Sequence, residues 1–446
     1  MPFELIRDFL VKHGRPAGEL RPDMHPGDLA DIIAGLSLEQ KQELFLLLPE
    51  ADAAALVQEM EEDEQVELIR VLTHARASAI LSEMDADDAT DLLAELPPKK
   101  AGELLAMVEE ETKEDIEELL AHAADSAGGI MTTDYIALSD ALQVSEAFPL
   151  LRQLAPGAEV VYYVYAVDSE NRLTGVVNLR ELIAARDDTH LRDIMRKHPI
   201  SVAVDVNQEE VARVVSKYDL VAVPVTDGSG HLLGVITVDD IIDVIEEEAT
   251  EDILRLAGAG RVEDVKVLEM PVGRLAWKRL PWLLISLFGG MVAGSVISAY
   301  EAHLQSVIVL AVFIPMIMNM GGGVGTQSST IAVRALATGE MDLRMLGKYV
   351  LHEVKIGAAL GLLNGVVIAI VASIWKDMPV LGLVIGLAMF ATLTVAALIG
   401  IMVPVCSVYL RIDPAMTAGP FVTTLKDIAA LLVYFGIASF FMAHLV

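Results

Sequence analysis

The chain has 446 residues, with 64 acidic and 32 basic side chains and a formal net charge of −32, yet 54% of its residues are hydrophobic. This length predicts two to four domains, and the negative charge argues against nucleic acid as a partner and favours cations. An acidic water-soluble half followed by an apolar half from about Trp277 reconciles the two properties, and the lone Cys406 excludes an intrachain disulfide and a CxxC motif.

Residues 1–127 are predicted to form an acidic helical superhelix. Apolar residues recur at one fixed spacing, and each ends a short amphipathic segment: Leu36, Leu48, Met60, Leu72, Met84, Leu96, Val108 and Leu120. Paired short helices with a period of about 24 residues are typical of a solenoid. Its acidic residues, Asp87 and Asp91 among them, either form a solvated face or bind cations. The first residues lack the continuous apolar core of a signal peptide.

Residues 128–193 and 194–246 are predicted to be two copies of one α/β unit. The β-rich stretches Val160–Val167 and Leu220–Val225 are each followed by a turn, a second strand and a helix. This pattern resembles a tandem pair of CBS domains, regulatory modules that often bind adenine nucleotides such as ATP.

In CBS domains, a Thr or Ser and an Asp three positions later commonly hold a ribose. Thr237 and Asp240 match this pattern in the second unit, whereas the first has Asn178 and Glu181. The resemblance therefore implies at most one nucleotide site in the pair.

Residues 247–276 are predicted to connect the two halves. A helix that begins near Val238 and ends near Gly258 carries one acidic stripe: Asp240, Asp243, Glu247 and Glu251. Carboxylates at these spacings repel one another unless cations lie among them. A solvated charged helix is the alternative.

Residues 277–446 are predicted to form a membrane domain. About five apolar runs are long enough to span a bilayer, and they begin at Trp282, Val307, Gly357, Val380 and Pro420. Basic residues flank one side: Lys278, Arg279, Arg334, Arg344, Lys348, Lys355 and Arg411. The positive-inside rule makes that side cytoplasmic. We therefore expect a multi-pass protein of the plasma (inner) membrane with cytoplasmic N-terminal domains and an external C-terminus.

The second span contains a glycine-rich polar segment from Gly321 to Thr330, which includes Gly323 and Gln327. Such residues at membrane depth are expected to break or loosen the helix and to expose carbonyl groups, which is tolerated against protein or water. Close packing of glycines between helices explains the segment equally well.

The fifth span carries Thr423, Thr424 and Asp427, and Asp413 lies in the preceding loop. A carboxylate within the bilayer costs several kcal/mol unless it faces a partner, an ion or water, so Asp427 predicts a functional ion site. The alternative is an ion pair at a helix end, with Lys426 extending to the interface.

Four motifs together resemble the MgtE family of magnesium channels over nearly the full chain: RALAT at 334–338, GxGxQS at 323–328, DPA at 413–415, and the Asp427 segment. The resemblance implies a homodimer with a helical N domain, a CBS pair, a connecting helix and five spans. The family often has GGN where this chain has Gly321-Gly322-Gly323, and Asn where Thr326 stands, which affects what can be expected of ion preference.

The resemblance also implies a mechanism of Mg²⁺ uptake with feedback. Asp427 would bind the hydrated ion in the pore, and Asp413 would meet the end of the connecting helix near Glu251 and Asp252. At high cytoplasmic Mg²⁺, ions held by acidic residues would close the pore by shifting a conformational equilibrium. The resemblance assigns these ions to Asp87, Asp91, Asp219, Asp240, Asp243, Glu248 and Glu251.

Three other functions stay open. One is a carrier with alternating access for Mg²⁺, Co²⁺ or Mn²⁺, although an odd number of spans offers no obvious inverted repeat. Another is an intramembrane enzyme, but each chain supplies one spanning aspartate and the sequence has no HExxH or GxSxG motif, so no enzyme is expected. The third is a sensor whose spans only anchor the CBS pair.

Overall fold

The computed structural model describes residues 25–155, 158, 161–258 and 272–445. The described chain divides into two compact units, one ending at Ile245 and the other beginning at Glu246. The extreme N-terminus and residues 259–271 of the expected connecting segment lie outside the described residues.

The first unit begins with the helical superhelix. Its helices are α1 (Pro26–Ala34), α2 (Leu38–Phe45), α3 (Glu50–Gln58), α4 (Glu62–Val71), α5 (His74–Leu81), α6 (Ala86–Ala94), α7 (Pro98–Leu105) and α8 (Glu110–Leu119). The repeated apolar residues from Leu48 to Val108 are buried in one continuous core, whereas Leu120 is exposed. Each short helix therefore buries its apolar face on its neighbours, which confirms the solenoid.

Two small α/β modules complete the first unit. Their elements are β1 (Ala137–Ser139), α9 (Val144–Leu154), β2 (Tyr163–Val167), β3 (Leu173–Asn178), α10 (Leu179–Ala184), α11 (Leu191–Ile194), β4 (Arg196–Lys197), β5 (Val202–Ala203), α12 (Gln208–Tyr218), β6 (Ala222–Thr226) and β7 (Leu232–Thr237). The sheets have the orders β1-β2-β3-β4 and β5-β6-β7. In each, a parallel pair is followed by an antiparallel pair. The predicted repeat of one α/β unit is thus confirmed.

The solenoid packs on the second of these modules. Ala86, the first residue of α6, is buried in the same apolar cluster as Val211 of α12 and Ile241. Ile241 belongs to α13 (Val238–Leu256), which continues from the first unit into the second. The acidic residues of α6 therefore lie beside the beginning of α13.

The second unit contains five helices that are long and apolar enough to cross a membrane. They are α14 (Val272–Ala299), α16 (Val309–Ala337), α17 (Leu346–Lys376), α18 (Pro379–Tyr409) and α20 (Pro420–Phe440). Short helices join or follow them: α15 (Glu301–Ser306), α19 (Pro414–Ala418) and α21 (Met442–Leu445). The predicted number of spans is confirmed, but α14 and α17 begin about ten residues before the predicted starts, because the preceding polar residues continue the helices beyond the apolar runs.

Glycines bring α17 and α18 into backbone contact. A Cβ added at Gly361 would lie 2.7 Å from the Phe390 carbonyl oxygen, and one added at Gly365 would lie 2.7 Å from the Gly386 carbonyl oxygen. Gly357 has the same four-residue spacing and faces Ala397. Small residues at this spacing allow spanning helices to pack closely without a hydrophobic driving force.

Candidate functional site

An open cavity of about 1080 Å³ lies between α16, α17 and α20. Its polar lining residues are Asn319, Thr326, Gln327, Thr330, Asn364, Thr423, Lys426 and Asp427, and Gly323 also lines it. The cavity therefore brings four of the predicted pore residues together: Gly323, Gln327, Thr423 and Asp427.

Asp427 is half-buried on α20, one turn after Thr423. Among the described residues, no group donates a hydrogen bond to its carboxylate and no cation lies within ion-pair distance of it. A carboxylate at this depth without a protein partner needs water or an ion. The cavity supplies the space for either.

Thr424 does not line this cavity. A Cβ added at Gly289 of α14 would lie 2.5 Å from the Thr424 Cγ2, so the threonine packs on that glycine. Neighbouring residues of a helix point about 100° apart, which directs Thr423 to the cavity and Thr424 to the packed face. Within a single chain, Thr424 therefore packs on α14, and its pore role stays a prediction.

The glycine-rich segment does not break its helix, so the expectation of a loosened backbone is wrong. α16 is continuous from Val309 to Ala337, and side chains of neighbouring helices lie beside Gly321, Gly322 and Gly325. Gly321 faces Thr392 of α18, whereas an added Cβ at Gly323 would meet nothing within 4 Å. One face of α16 therefore packs on neighbouring helices, and another face lines the cavity.

Lys426 does not extend to the interface, so the alternative ion pair at a helix end is also wrong. Its side chain is only 6% exposed, and its Nζ donates hydrogen bonds to the Gly322 carbonyl at 2.9 Å and to the Thr326 hydroxyl at 3.2 Å. The sequence analysis missed these contacts of Lys426. The available signal was a lysine next to an aspartate within an apolar span, together with a glycine-rich segment in another span.

A second spanning carboxylate lies outside the cavity lining. Glu353 of α17 is buried, and its Oε1 accepts a hydrogen bond of 2.6 Å from the hydroxyl of Ser328 on α16. This pair joins two of the helices that line the cavity. The sequence analysis included Ser328 in the GxGxQS motif but did not single out Glu353.

The end of α13 contacts the membrane domain around Asp413. The Arg255 guanidinium forms ion pairs with Asp413 and with Glu251, and the other Asp413 oxygen accepts a 2.7 Å hydrogen bond from the Ala415 N–H at the start of α19. Asp413 and Glu251 thus contact the same guanidinium, that of an arginine that the sequence analysis overlooked, and their roles as metal ligands stay predictions. Glu248 and Asp252 are half-buried on the same helix, and Asp243 is exposed.

A group of carboxylates lies in the first unit where α6 approaches α13. The Gln58 amide donates to Asp85 at 2.5 Å and to Asp88 at 2.6 Å. Burial, with Asp85, Asp240 and Asp239 nearby, raises the pKa of Asp88 to about 6. Burial is also the main cause of the raised pKa of Asp240.

The predicted metal ligands of this region are distributed over three helices. Asp87 and Asp91 lie on α6, Asp240 lies in the first turn of α13, and Asp219 ends α12 with a left-handed backbone. Within the described parts of the chain, no three His, Cys, Asp or Glu side chains converge as a metal cage would require. A magnesium ion that keeps several waters needs only one or two carboxylates, so these assignments stay predictions.

The raised pKa of Asp88 predicts a pH-dependent stability in the absence of Mg²⁺. Since the folded state favours the protonated acid, the stabilisation is complete below the unfolded pKa near 4 and is lost as the pH rises through about 6. We expect Asp88→Asn to raise the free energy of unfolding by about 1–2 kcal/mol at pH 7.5 in chelator, as measured by denaturant unfolding. At pH 4 the gain should disappear, and a gain of equal size at both pH values would contradict this explanation.

The proposed nucleotide residues form a local pair. The Thr237 hydroxyl donates a 2.6 Å hydrogen bond to the Asp240 carboxylate. At the equivalent place in the first module, Asn178 accepts a hydrogen bond from the Arg180 N–H, and Glu181 pairs with Arg196. The two modules thus differ in the groups that they present there.

Comparisons with known families cover most of the chain. Residues 314–437 match the profile of MgtE, described as a divalent cation transporter. Residues 24–125 match the MgtE intracellular N domain, and residues 127–188 and 191–247 match the CBS domain.

Among curated relatives, the magnesium transporter MgtE of Enterococcus faecalis is 46% identical over 332 residues, which is 74% of this chain and 72% of the relative. MgtE of Thermus thermophilus is 39% identical over 333 residues, 74% of this chain and 73% of the relative. Among solved structures, the soluble part of a magnesium transporter is 38% identical, covers 51% of this chain and 89% of that chain, and has a TM-score of 0.49.

Proposed function

Because this chain belongs to the MgtE family of divalent cation transporters, we propose that it is a Mg²⁺-selective channel of the plasma membrane that mediates Mg²⁺ uptake. Members of this family are transporters and not enzymes. The observation that carries the proposal is the Asp427 carboxylate, which lines a cavity among spanning helices without a hydrogen bond from any described residue.

The chemistry of the cavity suits a hydrated magnesium ion. Mg²⁺ prefers oxygen ligands and keeps several of its waters, so a site needs only one or two carboxylates. The hydroxyl of Thr423 and the amide of Gln327 offer further partners for those waters. An ion held through water also leaves more readily than one that is fully dehydrated, as conduction requires.

A second copy of the chain would enclose this pathway. In one chain, a polar stripe on α16 is exposed although α16 spans the membrane: Asn319, Gly323, Thr326, Gln327 and Thr330. Lipid does not satisfy the side-chain amides of Asn319 and Gln327, so they need protein or water in front of them. A homodimer with a two-fold axis along this stripe would bring both Asp427 side chains to one pathway.

We propose that the channel closes when Mg²⁺ binds its acidic cytoplasmic domains. Burial and the neighbouring carboxylates raise the pKa values of Asp88 and Asp240 and so oppose their ionisation, and a divalent cation would relieve the repulsion between the ionised groups. The proposed ligands are those predicted above on α6, α12 and α13, and the positive flank of the spans supports their cytoplasmic location. The state that binds more Mg²⁺ is then the closed one.

The test is Mg²⁺ flux into proteoliposomes, followed with a trapped fluorescent indicator, while the Mg²⁺ on the cytoplasmic side is varied. We expect flux above that of protein-free vesicles, and a decrease as cytoplasmic Mg²⁺ rises. A flux that does not change with cytoplasmic Mg²⁺ would contradict the proposed closure by Mg²⁺ but would still support the proposed pore.

The same assay tests the nucleotide proposed at Thr237 and Asp240. Adding ATP to the cytoplasmic side should shift the Mg²⁺ concentration that halves the flux.

The same vesicles distinguish the proposal from its nearest alternatives. A carrier would saturate at low turnover and exchange labelled ions across the membrane without net flux, whereas a channel carries net current at a fixed voltage. Absence of flux for Mg²⁺, Co²⁺ and Mn²⁺ would instead support a membrane-anchored sensor.

A further inference from the structure

Two opposite charges line the ion cavity from adjacent positions of α20. Asp427 provides the carboxylate of the proposed function, and Lys426 provides an ammonium that this function does not use. Lysine within a bilayer usually extends toward the interface. Here its side chain is 6% exposed, so the charge is kept at the depth of the ion site.

The ammonium is held by groups of the facing helix. Nζ donates to the Gly322 carbonyl and to the Thr326 hydroxyl, and these bonds join α20 to α16. A Cβ added at Gly325 would lie 3.1 Å from the Lys426 Cδ, and one added at Gly322 would lie 3.3 Å from its Nζ. The two glycines therefore form a groove that fits the lysine, which fixes the position of the charge.

A fixed positive charge changes how strongly the cavity holds a cation. The carboxylate attracts the ion and the ammonium repels it, and both interactions are twice as large for a divalent as for a monovalent cation. Conduction requires a site that binds well enough to admit the ion and weakly enough to release it. A lone carboxylate in a poorly solvated cavity would hold a divalent ion for longer than a balanced pair of charges.

We propose that Lys426 is a tethered counter-charge that weakens the hold of Asp427 on the permeating divalent cation and so permits its release. The inference rests on the proposed function for the identity of that ion. It assigns Lys426 as a positioning and affinity-setting residue, and it explains why the glycine-rich segment of α16 accommodates a lysine stem.

The test separates charge from hydrogen bonding. Lys426→Gln removes the charge but retains two N–H donors, whereas Lys426→Met removes both. We expect Lys426→Gln to lower the half-saturating Mg²⁺ concentration of flux by tenfold or more and to reduce the maximal flux, because release becomes slow. Lys348→Gln removes the same charge from an exposed position outside the cavity lining and should change neither value.

If Lys426→Gln does not fold, chemical modification of a cysteine at position 426 tests the same proposal. With Cys406, the lone cysteine, replaced by serine, Lys426→Cys can be modified by an aminoethyl or a neutral methyl thiosulfonate reagent. The aminoethyl adduct restores an ammonium, so it should raise the half-saturating concentration relative to the methyl adduct. Equal values for the two adducts, or an unchanged value in folded Lys426→Gln, would overturn the proposal.

Mg²⁺-dependent thermal stabilisation of the purified protein provides a readout that does not need flux. Lys426→Gln should reach half of its stabilisation at a lower Mg²⁺ concentration than the wild type, and this difference should vanish when Asp427→Asn is added. If no variant transports any divalent ion, the proposed function fails, whereas this difference in binding alone still decides whether Lys426 is a counter-charge.

Discussion

Replacing Asp427 by asparagine is expected to reduce Mg²⁺ flux by about a hundredfold or more. The substitution keeps the size of the side chain but removes the carboxylate charge in the cavity. At an effective dielectric constant of about 20, an ion and a carboxylate about 5 Å apart interact by several kcal/mol, and about 3 kcal/mol already corresponds to a hundredfold change. The initial rate of Mg²⁺ entry into proteoliposomes is the measurement.

Thr424→Val is the matched control on the same helix. Thr424 packs near Gly289 and does not line the cavity. Valine matches its shape and lacks only the hydroxyl, so the flux of this variant should stay within about twofold of the wild type. Asp427→Asn should elute like the wild type on size exclusion. Wild-type flux from a folded Asp427→Asn would eliminate the carboxylate as the ion site.

Replacing Gly361 by leucine is expected to disrupt the packing of α17 on α18. Its Cβ would lie 2.7 Å from the Phe390 carbonyl oxygen and 3.0 Å from the Phe390 Cα. Backbone atoms cannot rotate away as a side chain would, so the helices must separate and lose contacts along their length. We expect a destabilisation of about 3 kcal/mol or more, measured as loss of the monodisperse peak after graded heating in detergent.

Gly290→Leu is the control for the added bulk. Gly290 lies within a spanning helix as well, but an added Cβ there meets nothing within 4 Å, so its thermal stability should match that of the wild type. If Gly290→Leu and Gly361→Leu lose the same amount of thermal stability, the cause is the larger side chain in a spanning helix and not the contact with Phe390.

The sequence predicted the fold well because each half has a strong periodic signal. The repeated apolar residues from Leu48 to Val108 are buried as the solenoid requires, and the five apolar runs became five long helices. Ends were harder to predict, since Arg274 and Lys348 are polar but helical. Hydropathy locates the apolar part of a helix and says little about where the helix ends.

The site was predicted only in part, because side-chain direction depends on neighbours that are distant in sequence. Asp427 and Thr423 line the cavity as expected, but Thr424 faces Gly289. The sequence analysis placed Lys426 at the interface and overlooked Arg255, because a basic residue near an acidic one is usually interpreted as an ordinary surface charge. Their actual partners, Gly322 and Asp413, lie more than a hundred positions away.

The contact between α13 and the start of α20 has a mechanical consequence. A Cβ added at Gly419 would lie 2.9 Å from the Leu256 carbonyl oxygen, so the end of α13 lies directly against the residue before Pro420. From there to Asp427, α20 is one uninterrupted helix. Because the backbone hydrogen bonds of a helix hold its turns together, we expect a displacement of Gly419 to shift the carboxylate two turns away. The end of α13 and the Asp427 carboxylate are therefore linked by one direct contact and one continuous helix.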